Sequence, residues 1–208
     1  MALGQEIQLD GHASAQLAYV TIRGSSRAEV MSIANSHSSW NALQRARSRA
    51  QSQMRREMHQ LGFTSALFRH ALELLSLALY PHHACRASAA TLAANSRGQS
   101  GLWPFGISGD YPILLVHLSE ESQTELLQDL LQIHAYWRRR GLKIDLVIVN
   151  DRDSSYDQGL HNQIFRVIRR LSSENALNQR GGIFLLRRDQ LSSAECTLLE
   201  TVARVMLD

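Results

Sequence analysis

The sequence predicts an α/β protein: a helical stretch, then a small three- to four-stranded parallel sheet with flanking helices, preceded by a β-hairpin. Three observations predict it. Residues 26–97 carry apolar positions at helical spacing, interrupted only by caps and breakers. From Ile113 onward, short β-rich runs alternate with helix patterns across short connections, the signature of parallel strands with helical crossovers. Between the two lies a joint, residues 98–112 (GQSGLWPFGISGDYP), rich in glycine and proline. The organisation read from this is 1–25 hairpin, 26–97 helical linker and 98–208 α/β module.

Within residues 5–22, Ile7 and Leu9, then Leu17 and Tyr19, flank the turn signal Asp10-Gly11-His12 and predict two short strands. Two strands alone are marginal in water, so this hairpin needs a sheet to join, as if cut from the end of a β domain. Ser26 with Glu29 reads as a capping box opening a short helix to about Asn35. A longer helix follows, about Ser39 to Leu61, with Trp40, Leu43, Ala50, Met54, Met58 and Leu61 on one stripe and Gly62 as its stop. Its arginines, Arg45, Arg47, Arg49, Arg55 and Arg56, read as a solvated face, with a phosphate-binding patch as the rival. The next helix, about Ser65 to Leu79, is apolar nearly all round and stops before Pro81, so it is buried or covered. Ala87 to Asn95 adds a short helix.

The joint precedes a strand. Phosphate loops instead follow a strand and open a helix, so the joint is not read as one. Its glycines are expected to supply positive φ, with Trp103 and Phe105 packing over a sheet edge or partner domain. Trp103 and Asp110 are also candidates for sugar contact, through an aromatic face and a carboxylate. Beyond it, Ile113 to Leu118 is a buried strand, and Ser122 with Glu125 is a capping box for a helix that buries Leu127, Leu130, Leu131, His134 and Trp137. Arg138, Arg139 and Arg140 complement its dipole before Gly141. Leu142 to Val149 is the second strand, Tyr156 to about Leu171 the next helix, and Gly182 to Leu186 the third strand. Ser192 with Glu195 caps a last helix through about Ala203, and Val205-Met206-Leu207 starts another strand.

Composition bounds the function. Apolar residues are 44% and charged residues 20% of 208, an ordinary globular balance. A net charge of +3, from 22 basic against 19 acidic side chains, is too small to imply nucleic acid. Cys85 and Cys196 lack partners at metal-ligand spacing and make no disulfide framework, which reads as a reduced compartment or as no constraint at all. No signal peptide is expected, and the apolar run Leu72 to Tyr80 falls short of the ~20 residues that span a bilayer. No catalytic set, metal site or cofactor motif is predicted. His82, His83 and Cys85 lack a fourth ligand, and His134 reads as a hydrogen-bonded core histidine. In open parallel sheets ligands bind beyond the strand carboxyl ends, here His117-Leu118-Ser119, Asn150 to Asp153 and Arg187-Arg188-Asp189. Asp151, Arg152 and Arg188 join Trp103 and Asp110 as candidate binding residues, with ordinary loop polarity as the competing reading.

The joint carries a resemblance. Gly98 to Trp103, Gly106 to Asp110 and Pro112 to Val116 resemble a segment of the cyclic β-1,2-glucan synthases. The similarity runs on through His134 to Trp137, Gly141 to Asn150, Ser154 to Tyr156, Gly181 to Arg187 and Ala203 to Val205, in the same order. Gly159 stands where that family tends to place an acid, and His117 where it commonly has a basic residue. These synthases are large bacterial proteins anchored in the inner membrane, with a cellobiose-phosphorylase-like region near the carboxyl end. The resemblance implies an internal, non-catalytic fragment on the cytoplasmic side, lying between β-sandwich segments, so the hairpin would be a sandwich remnant. It further implies that the fragment positions neighbouring glycan-processing domains and is able to touch β-1,2-glucan. The rival reading is a self-contained small-ligand or regulatory module binding at the strand carboxyl ends. A third is a bare truncation product.

Overall fold

The computed structural model describes residue 4 and residues 6–152, 159–171 and 174–208. Its helices are α1 Arg27–Ser36, α2 Trp40–Gln60, α3 Ser65–Leu79 and α4 Ala89–Ala94, followed by β1 Ile113–Leu118, α5 Thr124–Arg139, β2 Asp145–Asn150, α6 Gly159–Arg170, β3 Ile183–Arg187, α7 Ser193–Val202 and β4 Val205–Leu207. Two compact units result, Met1–Arg55 and Arg56–Asp208.

In the first unit the predicted hairpin does not form. The described residues before α1 hold no strand, and Leu9, Leu17, Tyr19 and Val20 are exposed. Two such strands are marginal by themselves, and among the described residues they join no sheet. Ser26 caps α1, its hydroxyl accepting from the Glu29 amide at 3.2 Å. The Glu29 carboxylate accepts instead from Ser25, at 2.7 Å, so the capping box is only half made. The expected apolar stripe of α2 is not a core stripe: no residue of α2 is fully buried, and Trp40 is exposed. Met58 and Leu61, in the second unit, do pack against its core.

The second unit is a parallel four-stranded sheet in the order β3-β2-β1-β4, the α/β architecture expected. Alternation along each strand sends side chains to two separate cores. Leu114, Val116, Leu118, Leu146, Ile148 and Val205 face one, against α3, α5 and α6. Ile113, Leu115, Val147, Val149 and Phe184 face the other, against α7 and the joint. With both faces covered, the strands are continuous apolar runs, and β2 is buried throughout. α3 is anchored by its Thr64 cap and by Trp137 of α5, whose indole N–H donates to the Ala71 carbonyl at 3.2 Å. Its remaining apolar surface is not wholly covered, since Leu72 and Leu79 are exposed.

Several local expectations shift. The Ser122 capping box is absent: the chain makes a 3-10 turn at Glu121–Gln123, and Gln123 takes the N-cap position. Its side-chain oxygen turns back to accept from the Ser119 and Glu120 amides, at 2.8 and 3.0 Å. The second strand starts at Asp145 and not Leu142, because pairing with β1 begins at Ile113 opposite Asp145. The Ser192–Glu195 box is complete. The predicted helix start at Tyr156 lies outside the described residues.

The joint folds as a 3-10 helix, Gln99–Phe105, closed by Gly106 in the left-handed region. Leu102 and Ile107 enter the second core, with Phe105 packed against it. Trp103 does not pack: it is 64% exposed, because in a 3-10 turn it points away from the face that carries Leu102.

Candidate functional site

Connectivity decides where a site can form. From β1 the chain moves outward through β2 to β3, then returns by α7 to place β4 on the other side of β1. The order therefore reverses between β1 and β4, and a crevice opens beyond the carboxyl ends at that switch point. A cleft of about 500 Å³ lies there, lined by His117, Ser119, Gln123, Asp151, Arg188, Glu200, Met206 and Asp208.

His117 and Asp151 leave neighbouring strands β1 and β2, and their side chains meet, Nδ1 to Oδ2 at 2.8 Å. The partner being a carboxylate, Nδ1 carries the hydrogen, which orients the ring. The loop beneath is held by backbone: the Asp151 amide donates to the Leu118 carbonyl at 2.9 Å, and Asn150 Oδ1 accepts from the Arg152 amide at 3.1 Å. On the other side Arg187 and Asp189 pair with each other, at 3.1 and 2.7 Å. That leaves Arg188 to face the cleft, and no carboxylate among the described residues is bonded to it. Gln123 has its oxygen engaged, so its amide N–H groups remain for a ligand. Cys196 lies close enough for its thiol to feel Arg188, Glu200 and Asp151, but burial dominates and pushes it upward, away from the reactive thiolate.

The lining carries more acid than base: Asp151, Glu200 and Asp208 against Arg188, with His117 already donating to Asp151. Such a surface suits a neutral polyol, whose hydroxyls donate to carboxylates and accept from Arg188 and Gln123. A phosphate would meet repulsion. Among the described residues no group of His, Cys, Asp or Glu is placed to hold a metal ion.

The predicted site residues divide. Asp151 and Arg188 come together in this cleft. Arg152 contributes its backbone to the same loop, and its side chain is not part of the lining. Asp110 lies at the opposite end of the strands, where it accepts from Gln99 at 3.1 Å and pairs with Arg180. Trp103 lines neither region. Sequence reasoning placed His117 and Ser119 at a strand end but left them out of the candidate set, and it missed Gln123, Glu200 and Asp208. For His117 the signal was available, a polar residue closing an apolar strand. For Glu200, on the outer turns of a helix, there was none.

Two buried polar groups beneath the amino ends are structural. His134 is 1% exposed and its Nε2 bonds the Ile144 carbonyl at 3.0 Å, the core histidine expected; burial lowers its pKa to about 4. Asp145 is fully buried at the start of β2, accepting from the Gly181 amide at 2.7 Å while its Oδ2 has no hydrogen-bond partner among the described residues. Burial raises its pKa to about 6, against the lowering effect of the Gly181 amide and Arg180.

No family model matches the chain. It is 32% identical over 151 residues to the cyclic beta-(1,2)-glucan synthase NdvB of Rhizobium meliloti (strain 1021). The resemblance read from the joint is thereby shown. The match takes in 72% of this chain but only 5% of the synthase, so the chain spans a small piece of that relative's length. No helix among the described residues is long and apolar enough to cross a membrane.

Proposed function

We propose that this chain is a non-catalytic module of a cyclic β-1,2-glucan synthase-like, carbohydrate-active protein, and that its switch-point cleft holds β-1,2-glucan while neighbouring glycan-processing domains act on it. The observation that carries this reading is the lining of the cleft. The oriented His117–Asp151 pair, the surplus carboxylates of Glu200 and Asp208, and Arg188, which no carboxylate among the described residues pairs with, form a hydroxyl-binding surface. The similarity to a glucan synthase supports sugar as the source of those hydroxyls. An open cleft lets a long chain pass, which suits a holding role within a larger protein. Trp103, exposed on the joint, is free to contact a partner domain or a more distant part of the glucan.

The test is a titration of the full chain with linear β-1,2-glucan oligosaccharides, followed by amide NMR shifts. Shifts should centre on residues 117–123, 151 and 188, and Arg188→Ala should weaken binding about tenfold, the value of a hydrogen bond to a charged group. Silence at these residues up to about 10 mM glucan, a range that detects even millimolar binding, would refute the glucan reading. Shifts there with sugar phosphates and none with glucan would favour the rival, a self-contained small-ligand module.

A further inference from the structure

At the other end of the strands lies a second cleft, of about 430 Å³, between the joint, α7 and the starts of β1 and β4. We infer that it binds a small organic anion, a phosphate or carboxylate group on a hydroxyl-bearing skeleton. This does not rest on the glucan reading.

The cleft is shaped by close approach that only glycine permits. Gly109 has φ 76°, and a Cβ on it would lie 2.8 Å from Gln99 Cγ and 3.0 Å from Leu102 Cδ1. A Cβ on Gly101 would lie 2.6 Å from Leu198 Cδ2, so the joint lies directly on α7. The floor is apolar, made of Leu102, Ile113 and Leu198, all buried.

Its charges are mostly neutralised, with one exception. Arg97 donates to Glu195 at 3.0 Å, and Glu195 is itself locked in the capping box of α7. The Arg97 backbone is clamped by the Asn95 side chain, which bonds both its amide and its carbonyl, at 3.1 and 3.0 Å. Asp110 is matched by Arg180. Arg204 is left over: its amide is fixed to the Ile113 carbonyl at 2.8 Å, and no carboxylate among the described residues pairs with its exposed guanidinium. The lining therefore carries a surplus positive charge above an apolar floor. A guanidinium fork matches the geometry of a carboxylate or phosphate, and an already oriented Arg97 beside it lowers the ordering cost of a second contact.

Polar valences are left for the skeleton. Gln99 Nε2 is used by the Ser108 carbonyl, at 2.7 Å, and by Asp110, which leaves its oxygen to accept from a hydroxyl. Tyr111 accepts from Lys143 at 3.3 Å, which leaves the phenol hydrogen to donate. Lys143 and Arg180 also lie over the Tyr111 ring, at 5.4 and 5.3 Å, and hold that wall in place.

The experiment titrates the full chain separately with glucose 1-phosphate, glucuronate, inorganic phosphate and glucose, reading amide shifts. At least one of the two organic anions should move residues 97–101, 109–111 and 198–204, and which binds more tightly identifies the phosphate or carboxylate source. Glucose should leave these residues still. Arg204→Ala should weaken the binding anion about tenfold, and Arg204→Lys, which keeps the charge without the fork, should fall between. An unchanged spectrum with both organic anions, or equal affinity in Arg204→Ala, would overturn the site. Inorganic phosphate binding as tightly as either organic anion would overturn the role of the floor. Failure of glucan at the switch-point cleft leaves all these outcomes readable, because the shifts report different residues.

Discussion

The two clefts belong to one sheet and share one helix, yet they differ in charge and in construction. At the carboxyl ends the walls are strand-terminal loops and the surplus is acidic, through Asp151, Glu200 and Asp208. At the amino ends the wall is a 3-10 joint lying on α7, and the surplus is the guanidinium of Arg204. α7 serves both, Leu198 and Val202 lining one and Glu200 the other. The comparison teaches that a parallel sheet supplies a crevice at its carboxyl ends by connectivity alone, whereas a crevice at its amino ends has to be built, here from glycines that let the joint's backbone close onto the side chains of Leu198, Gln99 and Leu102. The first tolerates change in its loops. The second is as stable as the packing of its floor.

That contrast can be broken most severely at Leu198. It is buried in the second core and also floors the amino-end cleft, so Leu198→Ala should cost about 2–5 kcal/mol by urea denaturation. It should weaken anion binding while leaving the glucan titration unmoved. Equal damage to both clefts would show that they are one cooperative site.

A second effect, of about 3 kcal/mol, concerns what lies beneath the amino ends. Asp145, raised from 3.8 to about 6, binds its proton more tightly when folded, so its contribution to stability is largest at low pH and is lost as pH rises from 4 to 6. His134, lowered from 6.5 to about 4, runs the other way: its contribution is full above 6.5 and lost as pH falls towards 4. Their slopes oppose each other over the same window. The parent chain should therefore show a shallow profile from pH 4 to 6. In Asp145→Asn the His134 fall should stand alone, about 3 kcal/mol of stability lost on acidification, read from urea midpoints. A profile unchanged by that substitution would remove Asp145 from the account.

The smallest expected change is at Gly109. Alanine there must hold φ 76° and displace Gln99, at about 1–2 kcal/mol. The anion titration should lose its response at residues 97–101, and the glucan titration should keep its own.

Much of the α/β body was legible in the sequence. Buried positions at three- and four-residue spacing located α5 and α6, and Ser192 with Glu195 located the start of α7, because these signals act within one or two turns. Ser122 failed as a cap for a reason equally local but invisible in the pattern: a 3-10 turn at Glu121–Gln123 moves the helix start on by one residue, and the Gln123 side chain folds back onto the Ser119 and Glu120 amides. Of the two packing partners expected for Trp103, the sheet edge is not used, because the geometry of a 3-10 helix gives the inward position to Leu102. The opening segment has the residues of a hairpin, but among the described residues it pairs with no strand.

By itself the sequence determined the alternation of strand and helix, the apolar strands that require both sheet faces to be covered, and the likeness to a glucan synthase carried by the joint. Those are properties of short windows and of ordered motifs. Only the tertiary structure decided that β4 pairs beside β1, that His117 meets Asp151 across two strands, and that Gly101 lies on Leu198. Each of these joins residues tens of positions apart, where side-chain pattern carries no information and strand order alone sets who becomes a neighbour.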